Sequence, residues 1–443
     1  MKKNYVLLCM AAAVPFAAST AFAQAQPATP PADADYTLKA PASQASQVTG
    51  TAYELSGTSI SGSSKGSSQS MLTAPVGKAG AYKTESGVYI YPSAFVGMGY
   101  NDNLQSAATN PVGSNMVNVA PKLIFEMKLG GDRLTALASA NTISYASSSS
   151  DNTVNSEFKL AGDHYMSTRA RAAWSLGQTR GTDPRGSNNR PVSDTPDRWT
   201  SNDVDGRFVY GATEAQGRLE FDIGNRNKSY DNNRATTSVS DVTTGSYAAR
   251  GFYRLGTRSL ALVEYRNAKA NYVSNLSKES NTEKRYYVGL TWDATAATTG
   301  IFKLGRMTKD FDVAGRSGFD GDSWEAAVKW SPLTYSEVDF LTNRSTADST
   351  GLGLYNINTG SNINWSHQWN RSVSTRAGAG WLKTDYAGTT RSDNTTTYTL
   401  AADYAILRWL KLGVDWSGSE RTSNTVGGGF KGNVTMFTLN ASL

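Results

Sequence analysis

Cysteine is almost absent: the 443-residue chain has one, Cys9, inside its opening apolar segment. It follows Leu7 and Leu8 rather than small residues, which argues against a lipoprotein cleavage site. Once that segment is removed no thiol remains, which excludes disulfides and thiolate metal sites. Long hydrophobic runs are missing too. Beyond the first residues no stretch approaches the ~20 apolar residues that a membrane helix needs. A strong charge of one sign is also lacking: without Lys2 and Lys3 there are 41 basic and 37 acidic residues, a net +4 that is dispersed along the chain. That balance gives no reason to expect nucleic acid as a partner. There is no Walker loop, no Gly-x-Ser-x-Gly elbow and no His-Glu-x-x-His. The two histidines, His164 and His367, stand apart, and no nucleophile–base pair can be assembled around either. Asp203, Asp205 and Gly206 faintly suggest a calcium loop, but Arg207 stands where another oxygen ligand is needed. No catalytic residue, cofactor or metal is therefore expected, and the chain does not read as an enzyme.

Alternation is what the chain has. In the segment 117–129, Val117, Val119, Pro121, Leu123, Phe125, Met127 and Leu129 occupy every odd position, and Asn118, Lys122, Glu126 and Lys128 lie between them. Strand side chains point alternately to two faces, so this segment has one apolar and one charged face. The pattern returns about every twenty residues down to Phe437, Leu439, Ala441 and Leu443. Short turns alternate with long polar connections, such as 101–115, 178–203 and 418–432. This predicts an all-β fold: a transmembrane antiparallel β-barrel of about eighteen strands over residues 88–443. The less regular segments 133–146, 260–273 and 299–311 leave sixteen strands open.

Two segments precede the barrel. Lys2 and Lys3, an apolar stretch from Tyr5 to about Ala18, and Ala21-Phe22-Ala23 make a secretory leader, residues 1–23, cut before Gln24. Residues 24–87 are rich in Ala, Ser, Gly, Pro and Thr and read as a flexible periplasmic segment. Leader and barrel together predict a bacterial outer-membrane location, with lipid and lipopolysaccharide around the wall.

Hydration assigns the faces. A Lys or Arg in the lipid midplane costs about 2–4 kcal/mol, so the charged face must be the lumen. By parity the pore lining is Lys122, Arg169, Arg171, Arg218, Glu220, Asp222, Arg250, Arg254, Arg285, Tyr287, Glu325, Lys329, Glu337, Asp339 and Arg376, with a ladder of Asn356, Asn358, Asn362 and Asn364. Leu219, Phe221 and Ile223, and likewise Tyr355, Ile357, Ile363 and Trp365, face lipid. Tyr100, Trp174, Trp330, Trp369, Trp381 and Trp416 suit an interfacial girdle, and His367 shares their outward parity. Both charge signs line the lumen, so a strongly ion-selective pore is not expected. Mixed charge with Asn and an occasional Tyr suits a hydrated, polyhydroxylated chain.

The stretch Ser93 to Asn103 (SAFVGMGYNDN), followed by a polar loop and Val117 to Leu123 (VNVAPKL), resembles the opening of the Putative β-barrel porin 2 family. Its first strand ends in an aromatic-Asp-Asn corner and its second carries a mid-strand proline. The last strand also resembles a barrel-assembly signal, although it ends in Leu443 where Phe is commoner. Such barrels are often encoded beside exopolysaccharide or capsule genes. The resemblance implies a channel for polysaccharide export, driven by periplasmic and inner-membrane partners. A general diffusion porin and a structural or adhesive surface barrel remain the alternatives.

Overall fold

The computed structural model describes residues 82–442 apart from 188, 191, 192, 213, 296, 297 and 350, together with the short pair Tyr36–Thr37 and Ser59–Ile60. The expected leader and most of the expected 24–87 segment lie outside the described residues, as does Leu443.

Eighteen long strands form one sheet. The first six are β1 (Val88–Asn101), β2 (Ser114–Leu129), β3 (Asp132–Tyr145), β4 (Thr153–Tyr165), β5 (Ala170–Asp183) and β6 (Asp197–Tyr210). Next come β7 (Gly217–Tyr230), β8 (Val242–Arg254), β9 (Ser259–Tyr272), β10 (Asn281–Thr295), β11 (Thr298–Phe311) and β12 (Phe319–Leu333). The last six are β13 (Ser336–Asp348), β14 (Tyr355–Gln368), β15 (Val373–Tyr386), β16 (Ser392–Leu407), β17 (Leu410–Ser423) and β18 (Phe430–Ser442). Each pairs antiparallel with its sequence neighbours, and β18 returns to β1 with Phe437 opposite Met98 and Leu439 opposite Val96. Closure satisfies the edge hydrogen bonds that an open sheet would expose to lipid. The three less regular segments are strands β3, β9 and β11, so the count is eighteen.

The links alternate as expected. Those such as 130–131, 334–335 and 408–409 are tight; those such as 102–113, 184–196 and 231–241 are long. At the tightest, Leu129 pairs with Asp132 and Gly130 adopts φ +65°, which a two-residue hairpin requires and only glycine takes at little cost. The loop expected at 178–203 is shorter, because β5 and β6 run on until Asp183 faces Asp197. Opposed carboxylates repel, and the Arg190 guanidinium lies between them, 3.1 Å from Asp183 and 3.5 Å from Asp197. At the start of the barrel, Tyr82 and Lys83 fold back onto Ile90 and Tyr89, so the last residues of the expected flexible segment already belong to the wall.

The outer surface carries the apolar face. Phe221 is 47 % exposed and Val288 65 %, with Ile223, Val263 and Phe437 similarly open. Tyr335, Trp365, His367 and Trp369 cluster beside the short-turn end of β13 and β14, with the His367 ring 4.3 Å from that of Trp369. His164 lies near the same end and is held on both ring nitrogens: Asp132 at 3.1 Å from Nδ1, and the Trp174 indole N–H donating to Nε2 at 2.9 Å.

Tyr355 departs from the expected lipid face. It is 7 % exposed and packs with Met307 and Phe319, its hydroxyl donating to the Gly318 carbonyl at 2.8 Å. The reason lies in the register. Pairing of β12 with β13 stops at Trp324 opposite Arg344, whereas β13 stays paired with β14 up to Asp348 opposite Tyr355. The wall parts there, the upper ends of β13 and β14 lean inward, and parity no longer reports the lipid side. Asp203 and Asp205 lie within β6 rather than in a loop, where Asp203 pairs with Arg226 and Asp205 accepts from Ser175 at 3.3 Å.

Candidate functional site

Strands bend into a cylinder, so side chains from strands two or more apart can meet only on its concave side. Such meetings identify the inner face. Lys303 of β11 reaches Glu264 of β9 at 3.0 Å, Arg266 of β9 reaches Glu325 of β12 at 2.7 Å, and Asn281 of β10 reaches Asp348 of β13 at 3.0 Å.

Register builds these contacts into a belt. Arg207 faces Asp222, Glu220 faces Arg250, Arg250 faces Glu264, and Lys303 faces Glu325. Directly opposed cross-strand residues lie close enough for their charges to couple. The belt is continuous: Arg207–Asp222 at 2.7 Å, Arg250–Asp222 at 2.7 Å, Arg250–Glu264 at 2.9 Å, Arg266 against both Glu264 and Glu325, and Arg285–Glu283 at 2.6 Å. Lys303 joins it by contacting Glu264 and Glu325 together. All these side chains are buried. Below the belt the same face turns apolar, where Phe252, Leu260, Leu262, Ile301 and Ala327 pack together. The wall from β6 to β12 is thus filled by paired charge and hydrocarbon, and its charges satisfy one another.

The expected lining residues fall as follows. Arg171, Arg218, Glu220, Asp222, Arg250, Arg285, Tyr287, Glu325 and Asn356 are buried on the inner face. Arg218 lies 3.1 Å from Glu220 and over the Phe252 ring, and Tyr287 contacts Ser323 at 2.7 Å. Lys122, Arg254, Lys329, Glu337, Asp339, Asn358, Asn362, Asn364 and Arg376 are partly exposed. Lys329 pairs with Glu337, and Arg376 with Asp403 at 3.0 Å and Asp415 at 3.3 Å. Arg169 belongs to no face: it sits in the exposed turn 166–169, one residue before β5 begins. Sequence reasoning missed Arg207, Glu264, Arg266, Glu283, Lys303, Lys309 and Asp348. The available signal was charge at a fixed parity, but inward Leu260, Leu262 and Ile301 broke the alternation on β9 and β11.

One long connection crosses the mouth. Loop 184–196 leaves between β5 and β6, and the strands nine positions round the ring are β14 and β15. Near its start Arg185 grips Asp151 of the β3–β4 loop, Nε to Oδ1 at 2.7 Å. Further on, Asn189 accepts from Arg391 of the β15–β16 loop at 2.9 Å, and its backbone passes against Gly351 of the β13–β14 loop. Arg190 donates to the Tyr230 hydroxyl at 2.9 Å and to Ser240 of the β7–β8 loop at 3.3 Å. Burial pushes the Asp151 carboxyl up, but hydrogen bonds from Arg185, Ser148 and Gln105 outweigh it and hold the group below its ordinary range. This strap ties opposite sides of the mouth.

A closed eighteen-strand antiparallel barrel with an apolar outside and a polar, charge-paired inside is a membrane-spanning barrel of the outer-membrane type. The family model described as Putative beta-barrel porin 2 matches residues 79–443, and the chain belongs to that family of outer-membrane porins. No curated protein matches the sequence. Among solved structures, the chain is similar to a bacterial polysaccharide outer membrane secretin (10 % identity, TM-score 0.36). It is also similar to Pseudomonas aeruginosa OccK2 (OpdF) in complex with glucuronate (12 %, TM-score 0.46) and to a BenF-like porin from Pseudomonas fluorescens Pf-5 (11 %, TM-score 0.45). Each alignment covers 80 % of this chain and 98 % of the other. Among the described residues no group of acidic, His or Cys side chains is arranged to hold a metal.

Proposed function

We propose that the barrel is a channel for export of an exopolysaccharide or capsular polysaccharide. One observation carries this reading: the charges of the inner wall are paired with one another along the Arg207–Glu325 belt, so the wall is hydrophilic without a strong field of either sign. A long hydrated chain needs many weak contacts and no deep electrostatic trap. The sequence resemblance points the same way, since such barrels accompany polysaccharide synthesis genes. Drive would come from periplasmic and inner-membrane components, while the outer face meets lipid and lipopolysaccharide. Deletion of the gene is expected to leave polymer synthesis intact and trap polymer in the periplasm, measured by fractionation and sugar analysis. Unchanged surface polymer would refute export.

A general diffusion porin for small hydrophilic solutes is the second reading. The strap favours it, because a loop fixed across the mouth limits the cross-section. Open channels in planar bilayers, combined with normal surface polymer after deletion, would support it.

A further inference from the structure

At mid-height the inner wall changes character beyond β13. Asn362 faces Gly380, which faces Thr397, which faces Ser419. One row away, Asn364 faces Gly378, then Thr399, then Ser417. Both rows are free of charge and of large side chains across β14 to β17. The two glycines are required by this arrangement. A Cβ on Gly380 would lie 2.4 Å from the Asn362 Oδ1 and 2.6 Å from the Thr397 Oγ1; on Gly378 it would lie 2.5 Å from the Asn364 Oδ1 and 2.6 Å from the Thr399 Oγ1. The amides and hydroxyls therefore close over the glycine backbone and form a smooth polar strip.

Hydrogen bonding separates this strip from the rest of the wall. Belt charges are saturated by one another, and around β18, β1 and β2 Phe95, Met116, Val434 and Met436 pack together on the inner face, with the oxygens of Asn118 and Thr438 buried beside them. By contrast, the side chains of Asn362, Asn364, Thr397, Thr399, Ser417 and Ser419 make no hydrogen bond to another described residue, and both amides are partly exposed. Unpartnered neutral oxygens elsewhere on the inner face, such as those of Asn118, Thr135 and Thr438, are buried, whereas the amides of the strip are partly exposed. An amide offers both donors and an acceptor, and a hydroxyl offers both roles, which matches the vicinal hydroxyls of a sugar and attracts no charge.

We propose that the Asn362–Ser419 strip of β14 to β17 is the track along which an uncharged saccharide chain moves, on the wall beyond the end of the self-paired belt. The inference rests on the channel reading and adds to it the class of solute and the wall that holds it. The test is current blockade of the purified full-length barrel in planar bilayers. Maltohexaose is the neutral probe and hexagalacturonate the anionic one. Maltohexaose is expected to block, with an affinity unchanged between about 0.1 M and about 1 M KCl, because no screened charge is involved. Its affinity should fall about tenfold in Asn362→Leu/Asn364→Leu, and by a similar factor in Thr397→Val/Thr399→Val. Two variants on different strands guard against misfolding, and each is assayed only if its gel mobility remains heat-modifiable. Absence of block, equal block in wild type and both folded variants, or stronger block by hexagalacturonate that salt abolishes would each overturn the track. Polymer trapped by gene deletion together with unaltered block would sink the track and leave export standing. Normal export after deletion would sink export alone.

Discussion

Each residue of this wall answers to one of two media, and a single strand tests both. On β7, Phe221 points outward into lipid and Arg218, three residues earlier, points inward against Glu220 and Phe252. Phe221→Arg sets a guanidinium in hydrocarbon at a cost of about 2–4 kcal/mol and should impair assembly. Arg218→Ala leaves Glu220 within reach of Arg250 (3.5 Å) and should fold but change conductance. Heat-modifiable gel mobility separates the two; equal loss of the folded band would sink the assignment. The belt offers a sharper case. Lys303 touches Glu264 and Glu325 together, and its side chain is almost wholly buried. Lys303→Met removes a buried cationic partner from Glu264 and Glu325 together and should destabilise the barrel by about 3 kcal/mol. Adding Glu264→Gln removes one of the two carboxylates left without that partner, so the double variant should cost less than the single changes summed. Urea unfolding in lipid vesicles, followed by Trp fluorescence, measures the coupling; strict additivity would argue against a connected belt.

Among elements, three loops share a clasp with a pH dependence. Arg316 of loop 312–318 donates to Glu279 of loop 273–280 at 2.7 Å and to the Leu354 carbonyl of loop 349–354 at 2.6 Å. Burial pushes the Glu279 carboxyl from its ordinary 4.5 up to about 7, with Arg316 opposing and Asp348 adding to the rise. The docked loop thus holds a proton that the undocked one releases. Docking is strongest below about pH 4.5, weakens as pH rises toward about 7, and is level above. Proteolysis or hydrogen exchange of loop 273–280 should accelerate between about pH 5 and about pH 8, and Glu279→Gln should flatten the profile. Wild-type protection that is flat or increases with pH would remove the argument. The elements themselves were largely legible in the sequence. Strands such as β7 and β10 alternate strictly, because one face meets lipid and the other charge. The exceptions have physical causes. β9 and β11 turn Leu260, Leu262 and Ile301 inward, where they pack on Phe252, so alternation alone could not reveal Glu264, Arg266 or Lys303. Tyr355 misled because parity assumes a continuous wall, and the wall parts between β12 and β13. Arg169 misled because strand parity was carried one residue into a turn.

Across the whole molecule, the strap couples sides that no strand pairing connects. Its anchors are separate in sequence and six strands apart in the ring of eighteen, Arg185 on Asp151 beside β4 and Asn189 on Arg391 beside β16, and the second lies about eight strands from the root of the loop at β5 and β6. Single-strand patterns carry no information about such a link, which is why the sequence showed a polar loop and not its course. Mechanically the link makes the mouth a closed span rather than an open rim. A charge-assisted hydrogen bond contributes about 1.5–3 kcal/mol, so losing both anchors should shift the docked-to-undocked ratio of the strap by a factor of about ten or more. Arg185→Ala/Asn189→Ala is therefore expected to raise single-channel conductance or its flicker in planar bilayers. The urea midpoint should stay near wild type, because neither residue belongs to a strand or to the charged belt. The same variant discriminates between the two functional readings: a polymer channel must part the strap for each chain, whereas a small-solute pore can work with it in place. If untethering speeds appearance of surface polymer, the strap is a barrier to export. If it admits larger neutral solutes into vesicles and leaves polymer output unchanged, the strap is a size filter for diffusion. If conductance, flicker and solute cut-off all match wild type, the narrowest point lies below the mouth, and the strap is excluded as the controlling element.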